Sequence, residues 1–216
     1  AGVRYSLINP QSYVKNNIEA FTNILEISRE FKIKHLLFAS SSSVYGNCKN
    51  FPLMEKEINT QPIQFYAATK KANEIMANSY SINFKIKITA LRFFTVYGPF
   101  GRPDMALFKF TKNILDNKFI ELYNNGNHIR DFTYIDDFIN GVITAWKTKE
   151  CIGEIINLGH NQPRQIREVI DILADRLGQP ARLEYRPPHP SDLPLTCASA
   201  GTLLTGTCTK QSPSSR

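Results

Sequence analysis

No apolar stretch in this sequence approaches the ~18 residues needed to cross a bilayer; the longest candidates, such as Leu36 to Ala39, are far shorter. The opening residues Ala1-Gly2-Val3-Arg4-Tyr5-Ser6 lack the apolar run of a secretory signal, so none is expected there. Cysteine is scarce: Cys48, Cys151, Cys197 and Cys208 make no CxxC pair and have no histidine spaced to complete a zinc site. So few cysteines in 216 residues do not make a disulfide framework, and a reducing, cytoplasmic setting is the expectation. His35, His128, His160 and His189 show neither metal-ligand nor catalytic-triad spacing, and no metal is expected. A block of like charge is missing too. The 26 Lys and Arg exceed the 19 Asp and Glu by seven, but the signs are interleaved, which suits an anionic small substrate better than nucleic acid. No internal repeat is visible.

What is present is globular. A 42% hydrophobic content excludes wholesale disorder, and the length allows one large domain or a domain with a small lobe. Val14, Ile18, Phe21 and Leu25 recur at helical spacing, predicting a helix over Tyr13 to Phe31. The run Ile33 to Ala39 reads as a buried strand, Tyr66 to Phe84 as a second helix, and Ile86 to Phe94 as a second strand. Alternating helices and strands that are apolar on both faces predict a parallel sheet covered by helices. Further helices are expected at Met105 to Asn117, Ile135 to Lys147 and Ile166 to Leu177, with strands at Ile120 to Tyr123 and Ile155 to Leu158. After Pro187-Pro188 the pattern decays, and Cys197 to Arg216 reads as an atypical, disordered tail rich in Ser, Thr and Gly.

Tyr66 and Lys70 stand four residues apart and so share a helical face. A nearby ammonium favours phenolate and draws a tyrosine pKa down from ~10, toward general-base use. On spacing alone an ordinary exposed helix pair fits equally well. A second match, Tyr45 to Lys49, contains Gly46-Asn47 and reads as a turn. The serines Ser40 to Ser43 close the first strand, and ligands on open parallel sheets bind beyond such strand ends. A plain polar turn is the alternative.

Taken together, Ser40 to Gly46, Tyr66-x-x-x-Lys70 and Leu91-Arg-Phe-Phe-Thr-Val-Tyr-Gly-Pro99 resemble the extended short-chain dehydrogenases, within them the NAD-dependent nucleotide-sugar epimerases and dehydratases. Gly98-Pro-Phe-Gly-Arg-Pro-Asp-Met105 and Arg130-Asp-Phe-Thr-Tyr-Ile-Asp-Asp137 are most similar to the UDP-glucuronate 4-epimerase group. The resemblance covers residues 1 to about 196. It implies a Rossmann-type α/β sheet with a smaller α/β substrate lobe, NAD as cofactor and a UDP-sugar as substrate. Tyr66 is then the catalytic base, Lys70 holds the nicotinamide ribose and tunes Tyr66, and Ser41 relays through its hydroxyl. Ser42 and Ser43 touch the sugar. Thr95 and Arg102 meet the sugar carboxylate, for which a guanidinium is a planar fork. Arg130 falls at the diphosphate, Asp192 at the uridine ribose, and Asn16 and Phe93 beside the cofactor. Each also has a plainer reading. Arg102 and Arg130 can pair locally with Asp104 and Asp131, Asp136 and Asp137 can charge a helix N-terminus, and Phe93, Phe94, Phe108 and Phe110 can be core.

Ser42-Ser43 stand where dehydratases and decarboxylases of the family carry acids, which disfavours elimination. Thr95 replaces the asparagine common in UDP-galactose epimerases, and His189 stands where related epimerases often carry arginine. The family's GxxGxxG turn, which cradles the NAD pyrophosphate, does not occur in these 216 residues. The resemblance therefore implies the back two-thirds of such an enzyme: residues 1–98 as the later part of the NAD-binding domain with its first strands missing, 99–196 mainly as substrate lobe, 197–216 as tail. The expected function is 4-epimerisation of UDP-glucuronate through a 4-keto intermediate. A UDP-glucose or UDP-N-acetylglucosamine 4-epimerase, or an inactive fragment, are the alternatives. A homodimer through the first two predicted helices is expected for the full-length domain, with neither membrane nor nucleic acid as partner.

Overall fold

The computed structural model describes residues 2–57, 61–189 and 192–199. In chain order its first half holds α1 (Tyr5–Ile8), α2 (Pro10–Tyr13), α3 (Ala20–Glu30), β1 (Leu36–Ser41), α4 (Phe65–Phe84), β2 (Ile88–Phe93) and β3 (Thr95–Tyr97). Then follow α5 (Ala106–Leu115), β4 (Phe119–Tyr123), β5 (Ile129–Tyr134), α6 (Ile135–Lys147), β6 (Ile155–Leu158), β7 (Pro163–Gln165), α7 (Ile166–Leu177) and β8 (Arg182–Arg186).

The doubly apolar runs do form one parallel sheet, ordered β1-β2-β6 with β2 central; Leu37 lies opposite Thr89 and Leu91 opposite Ile156. Alternate side chains leave on opposite faces. Leu36, Phe38 and Ile88 pack with Leu25 of α3 and Ala77 of α4. Leu37, Leu91 and Leu158 pack with Phe138, Val142 and Ala145 of α6. Helices thus cover both faces, and the α/β class expected from the sequence is the one observed. A second core forms where β4 and β8 pair in parallel, burying Ile120 and Leu122 against Ile114 of α5 and Ile170 of α7. A small mixed sheet, β3-β5-β7, lies between them in the chain order of its strands. The division at residue 98 is not clean, because β6 and α6 lie after it and complete the first sheet and its cover.

The long first helix is interrupted. Between α2 and α3 the backbone makes a π-helical segment, Val14–Glu19. Asn17 donates to Thr69 Oγ1 at 2.9 Å, and Asn73 Nδ2 of α4 donates to the Asn17 carbonyl at 2.7 Å. Those bonds serve backbone and side-chain groups that a wider turn exposes. Cys197 to Ser199 are also unlike a disordered tail. Ala198 is fully buried, and Leu53 exchanges backbone hydrogen bonds with Cys197 and Ser199 at 2.8 and 3.0 Å. The rest of the tail, residues 200–216, lies outside the described residues. No helix among the described residues is long and apolar enough to cross a membrane.

Candidate active site

At the carboxyl end of β1 the chain turns at once into a single 3-10 turn, Ser42–Tyr45, started by Ser41, whose Oγ accepts from the Ser43 amide at 3.2 Å. Gly46 ends it at φ 54°, and a Cβ there would lie 1.7 Å from the Gln61 carbonyl oxygen, so the close approach requires glycine. Tyr45 does not share a helical face with Lys49. It is buried, donates to Asn157 Oδ1 at 2.7 Å and hooks the serine turn to β6, with burial pushing its pKa up to about 12.

Helix α4 then brings its first turn back over the end of β1. Tyr66 comes close enough to Ser41 for the serine to favour its phenolate, and Lys70 Nζ donates to the Ala39 carbonyl at 2.9 Å. Ser41, Tyr66 and Lys70 therefore lie together at the end of β1. Their electrostatics differ from the expectation. Burial pushes the Tyr66 phenol up from its ordinary value, and the opposing pull comes from Ser41 and the charge of Arg102. Burial also pushes the Lys70 ammonium down. Desolvation sets the direction, and the charge that opposes it is that of Arg102 rather than the i, i+4 cation Lys70.

Tyr13, which the sequence does not mark as a site residue, packs its ring edge-on to Tyr66, with centroids 6.0 Å apart, and donates to the Gly2 carbonyl at 2.5 Å. Nothing in a single sequence marks this tyrosine, 53 residues away from its partner by their numbering. Arg102 lies on the loop before α5 and donates through Nε and a terminal nitrogen to Asp104 at 3.0 and 2.5 Å, so the plainer local pairing does occur. That hydrogen bond raises the Arg102 pKa and lowers that of Asp104. Thr95 and Arg102 line the same cavity, of about 780 Å³, whose walls include Tyr97, Met105, Phe108 and Leu173. Ser42 is buried and Ser43 half-buried on the serine turn. Asn16 is exposed in the π-helical segment and donates to the Ser12 carbonyl at 2.7 Å. Phe93 points instead into the core beneath the sheet, edge-on to Phe138 at 4.6 Å.

A second polar cluster forms around Arg130 on β5. Arg4, present in the opening phrase but assigned no role there, donates to Asp192 at 2.7 and 3.3 Å and lies 4.3 Å over the Tyr123 ring. The Asp192 carboxylate is thus engaged by Arg4. Arg130 donates to the Ile129 carbonyl at 2.9 Å and has no ion-paired carboxylate among the described residues. Its pKa is lowered by burial and by Arg4, against the attraction of Asp192. The same surroundings, burial first and then Arg130, lower that of buried His128. Two guanidiniums face one carboxylate here, a balance that an anion corrects. His189 adds its ring 6.4 Å from Tyr123.

Asp131 does not pair with Arg130. It is wholly buried and accepts from the backbone amides of His160, Asn161 and Ala198 at 2.9, 3.0 and 2.8 Å. Asp136 and Asp137 occupy the first turn of α6, where negative charge suits the helix N-terminus.

A family model described as the NAD dependent epimerase/dehydratase family matches residues 1–159. The chain is 44% identical to Protein CapI of Staphylococcus aureus, over 94% of this chain and 66% of that protein. It is 43% identical to UDP-glucuronate 4-epimerase 4 of Arabidopsis thaliana, over 92% of this chain and 49% of that protein. Among solved structures, the UDP-glucuronic acid 4-epimerase of Bacillus cereus, in complex with UDP-glucuronic acid and NAD, superposes with a TM-score of 0.88 at 36% identity, covering 97% of this chain and 68% of that one. The chain spans between about half and two-thirds of the length of the curated relatives named here.

Proposed function

Since the chain belongs to the NAD-dependent epimerase/dehydratase family, we propose that it carries the proton-transfer and sugar-binding part of a UDP-sugar 4-epimerase acting on UDP-glucuronate. The convergence of Ser41, Tyr66 and Lys70 beyond the end of β1 carries this reading. The names of the relatives support it. In the proposed reaction Tyr66 takes the proton of the sugar 4-hydroxyl, with Ser41 sharing the hydrogen bond as the carbonyl forms. The 4-keto sugar turns and Tyr66 returns the proton to the oxygen. NAD, when bound, supplies a reversible hydride acceptor. The residues present fit its nicotinamide-ribose end: Lys70 spends one of three ammonium donors on Ala39, leaving two for ribose hydroxyls. Because burial raises the Tyr66 pKa, turnover should rise with pH as phenolate becomes available.

Arg130, with Arg4 beside it, takes the diphosphate, Asp192 the uridine ribose, and Arg102 with Thr95 the uronate carboxylate. The core of α5, β4, α7 and β8 forms the substrate lobe. A neutral UDP-hexose is the second reading, favoured by the engagement of Arg102 with Asp104. The test is incubation of the purified chain with NAD and UDP-glucuronate, followed by the anomeric proton signals. UDP-galacturonate should appear, and Tyr66→Phe should slow its formation by about a hundredfold or more. Arg130→Gln should weaken every UDP-sugar about equally, whatever the sugar. Sugar binding with neither turnover nor NAD binding would make the chain a binding fragment, in line with the missing GxxGxxG turn.

Exposed Ile24 and Ile27 on α3, and Ile75 and Ile82 on α4, support a homodimer through these helices. Light scattering should give twice the chain mass at micromolar concentration. A mass of one chain at that concentration would refute it.

A further inference from the structure

Asp104 is a charge beside the site to which the proton transfer assigns no role. Its carboxylate takes the side-on edge of Arg102, Nε and one terminal nitrogen, at 3.0 and 2.5 Å. That is the two-bond geometry in which a guanidinium holds any carboxylate. The two side chains are 48% and 52% exposed, so water and ligands reach them and no core packing fixes the pair. The pair nonetheless belongs to the site electrostatically. Arg102 acts on the phenols of Tyr13 and Tyr66, and Asp104 acts on Tyr13.

We propose that Asp104 is an internal carboxylate that competes with the carboxylate of the substrate for Arg102, and thereby sets how strongly the site prefers a uronate over a neutral sugar. The proposal rests on the reading that Arg102 meets the uronate. A uronate entering the site exchanges one carboxylate for another on the same guanidinium and gains little net free energy from it. A neutral sugar leaves the Arg102–Asp104 pair intact and forgoes nothing. The site is therefore less selective than an unpaired arginine would make it.

The same exchange has a use in the reaction. A 4-keto sugar must turn between the two hydride transfers, and a carboxylate clamped by an otherwise unpaired guanidinium would resist turning. With Asp104 at hand, Arg102 can release the sugar without standing uncompensated at any moment. Asp104 is thus a specificity residue that acts through Arg102 and takes no part in proton transfer.

The test is calorimetric titration of the 216-residue chain and its variants with UDP-glucuronate, UDP-glucose and UDP, at one fixed salt concentration. Asp104→Asn keeps an oxygen that accepts one hydrogen bond and removes the charge. It should tighten UDP-glucuronate by about fivefold, the worth of one exposed ion pair, and leave UDP-glucose and UDP unchanged. Unchanged or weaker UDP-glucuronate binding by Asp104→Asn, with Arg102→Ala selectively weakening that ligand, would overturn the proposal and leave the uronate reading standing. If Arg102→Ala leaves the ratio of the two sugars unaltered, the uronate reading fails and the role of Asp104 fails with it. Absence of saturable binding by all three ligands refutes the UDP-sugar reading itself. Both positions are exposed, so circular dichroism should show all variants folded.

Discussion

Glu74→Leu should destabilise the fold by about 3–5 kcal/mol, because it strands a buried arginine. The Arg92 side chain is 1% exposed and that of Glu74 3%. They meet through two hydrogen bonds of 2.8 and 2.9 Å, from α4 to the centre of the sheet. Ser40 of β1 donates to the same carboxylate at 2.7 Å and Lys71 at 3.3 Å. Arg92 also lies 4.6 Å over the Tyr45 ring and donates to the Glu55 carbonyl at 3.3 Å. Leucine leaves that guanidinium in the dry interior without a counter-charge. The double variant Glu74→Leu/Arg92→Met should recover most of the loss, since an apolar pair of similar volume needs no compensation. Urea unfolding of wild type and both variants measures this, and equal loss in single and double variants would refute it. The pH dependence follows from the same pair. Burial opposes ionisation of Glu74, yet Arg92, Ser40 and Lys71 prevail and lower its pKa below the ordinary 4.5. Its contribution is therefore complete above that pH and is lost as pH falls through the lowered value. The double variant should show a shallower acid limb.

Asp131→Ala should cost about 3 kcal/mol or more and loosen one end of the anion cluster. One carboxylate serves three backbone amides, and hydrogen bonds to charged groups are worth about 1.5–3 kcal/mol each before relaxation and water entry reduce the sum. Two of the amides, His160 and Asn161, follow β6, while the third belongs to Ala198. The segment that ends at Ala198 also pairs with β5, Ile129 donating to the Pro194 carbonyl at 2.9 Å and Thr196 to that of Ile129 at 3.1 Å. Asp192 lies just before those residues. Removing Asp131 should thus release the Ala198 amide to solvent exchange, lower thermal stability and, on the proposed function, weaken UDP binding. Asp136→Ala, at an exposed helix start, should change stability by only about 0.5 kcal/mol. Hydrogen exchange that leaves the Ala198 amide as protected as in wild type would contradict the account.

The elements that could be read from the sequence are those whose burial has a visible period. The boundaries of α6, β6 and α7 match their apolar patterns to the residue. β3 and β7 have no visible period because each has three residues, and β7 is wholly exposed. β5 was hidden by Arg130 and Asp131, polar residues placed in a strand for the partners they meet rather than for the faces they show. β8 was hidden by arginines at both ends. The site divides similarly. That Tyr66 and Lys70 share a helix face is legible because the helical turn fixes their spacing, while Ser41 came with the resemblance of the serine turn. Arg4 was not, since it meets Asp192 across 188 positions of sequence. The direction of the Tyr66 pKa could not be read either, because the sequence displays a neighbouring cation but not the loss of water around a phenol.

The π-helical segment Val14–Glu19 sets a phase. One extra residue in a helical turn advances everything after it by about 100° around the axis. The segment follows α2, whose Tyr13 faces Tyr66, and precedes α3, whose Leu25 faces the sheet. A uniform helix through the same residues could not keep both contacts. Deleting a single residue there would keep every side chain chemically intact and turn either the tyrosine from the site or the leucine from the core. The stretch is thus held to its length more strictly than to its letters, and homologous chains should vary there by substitution rather than by insertion or loss.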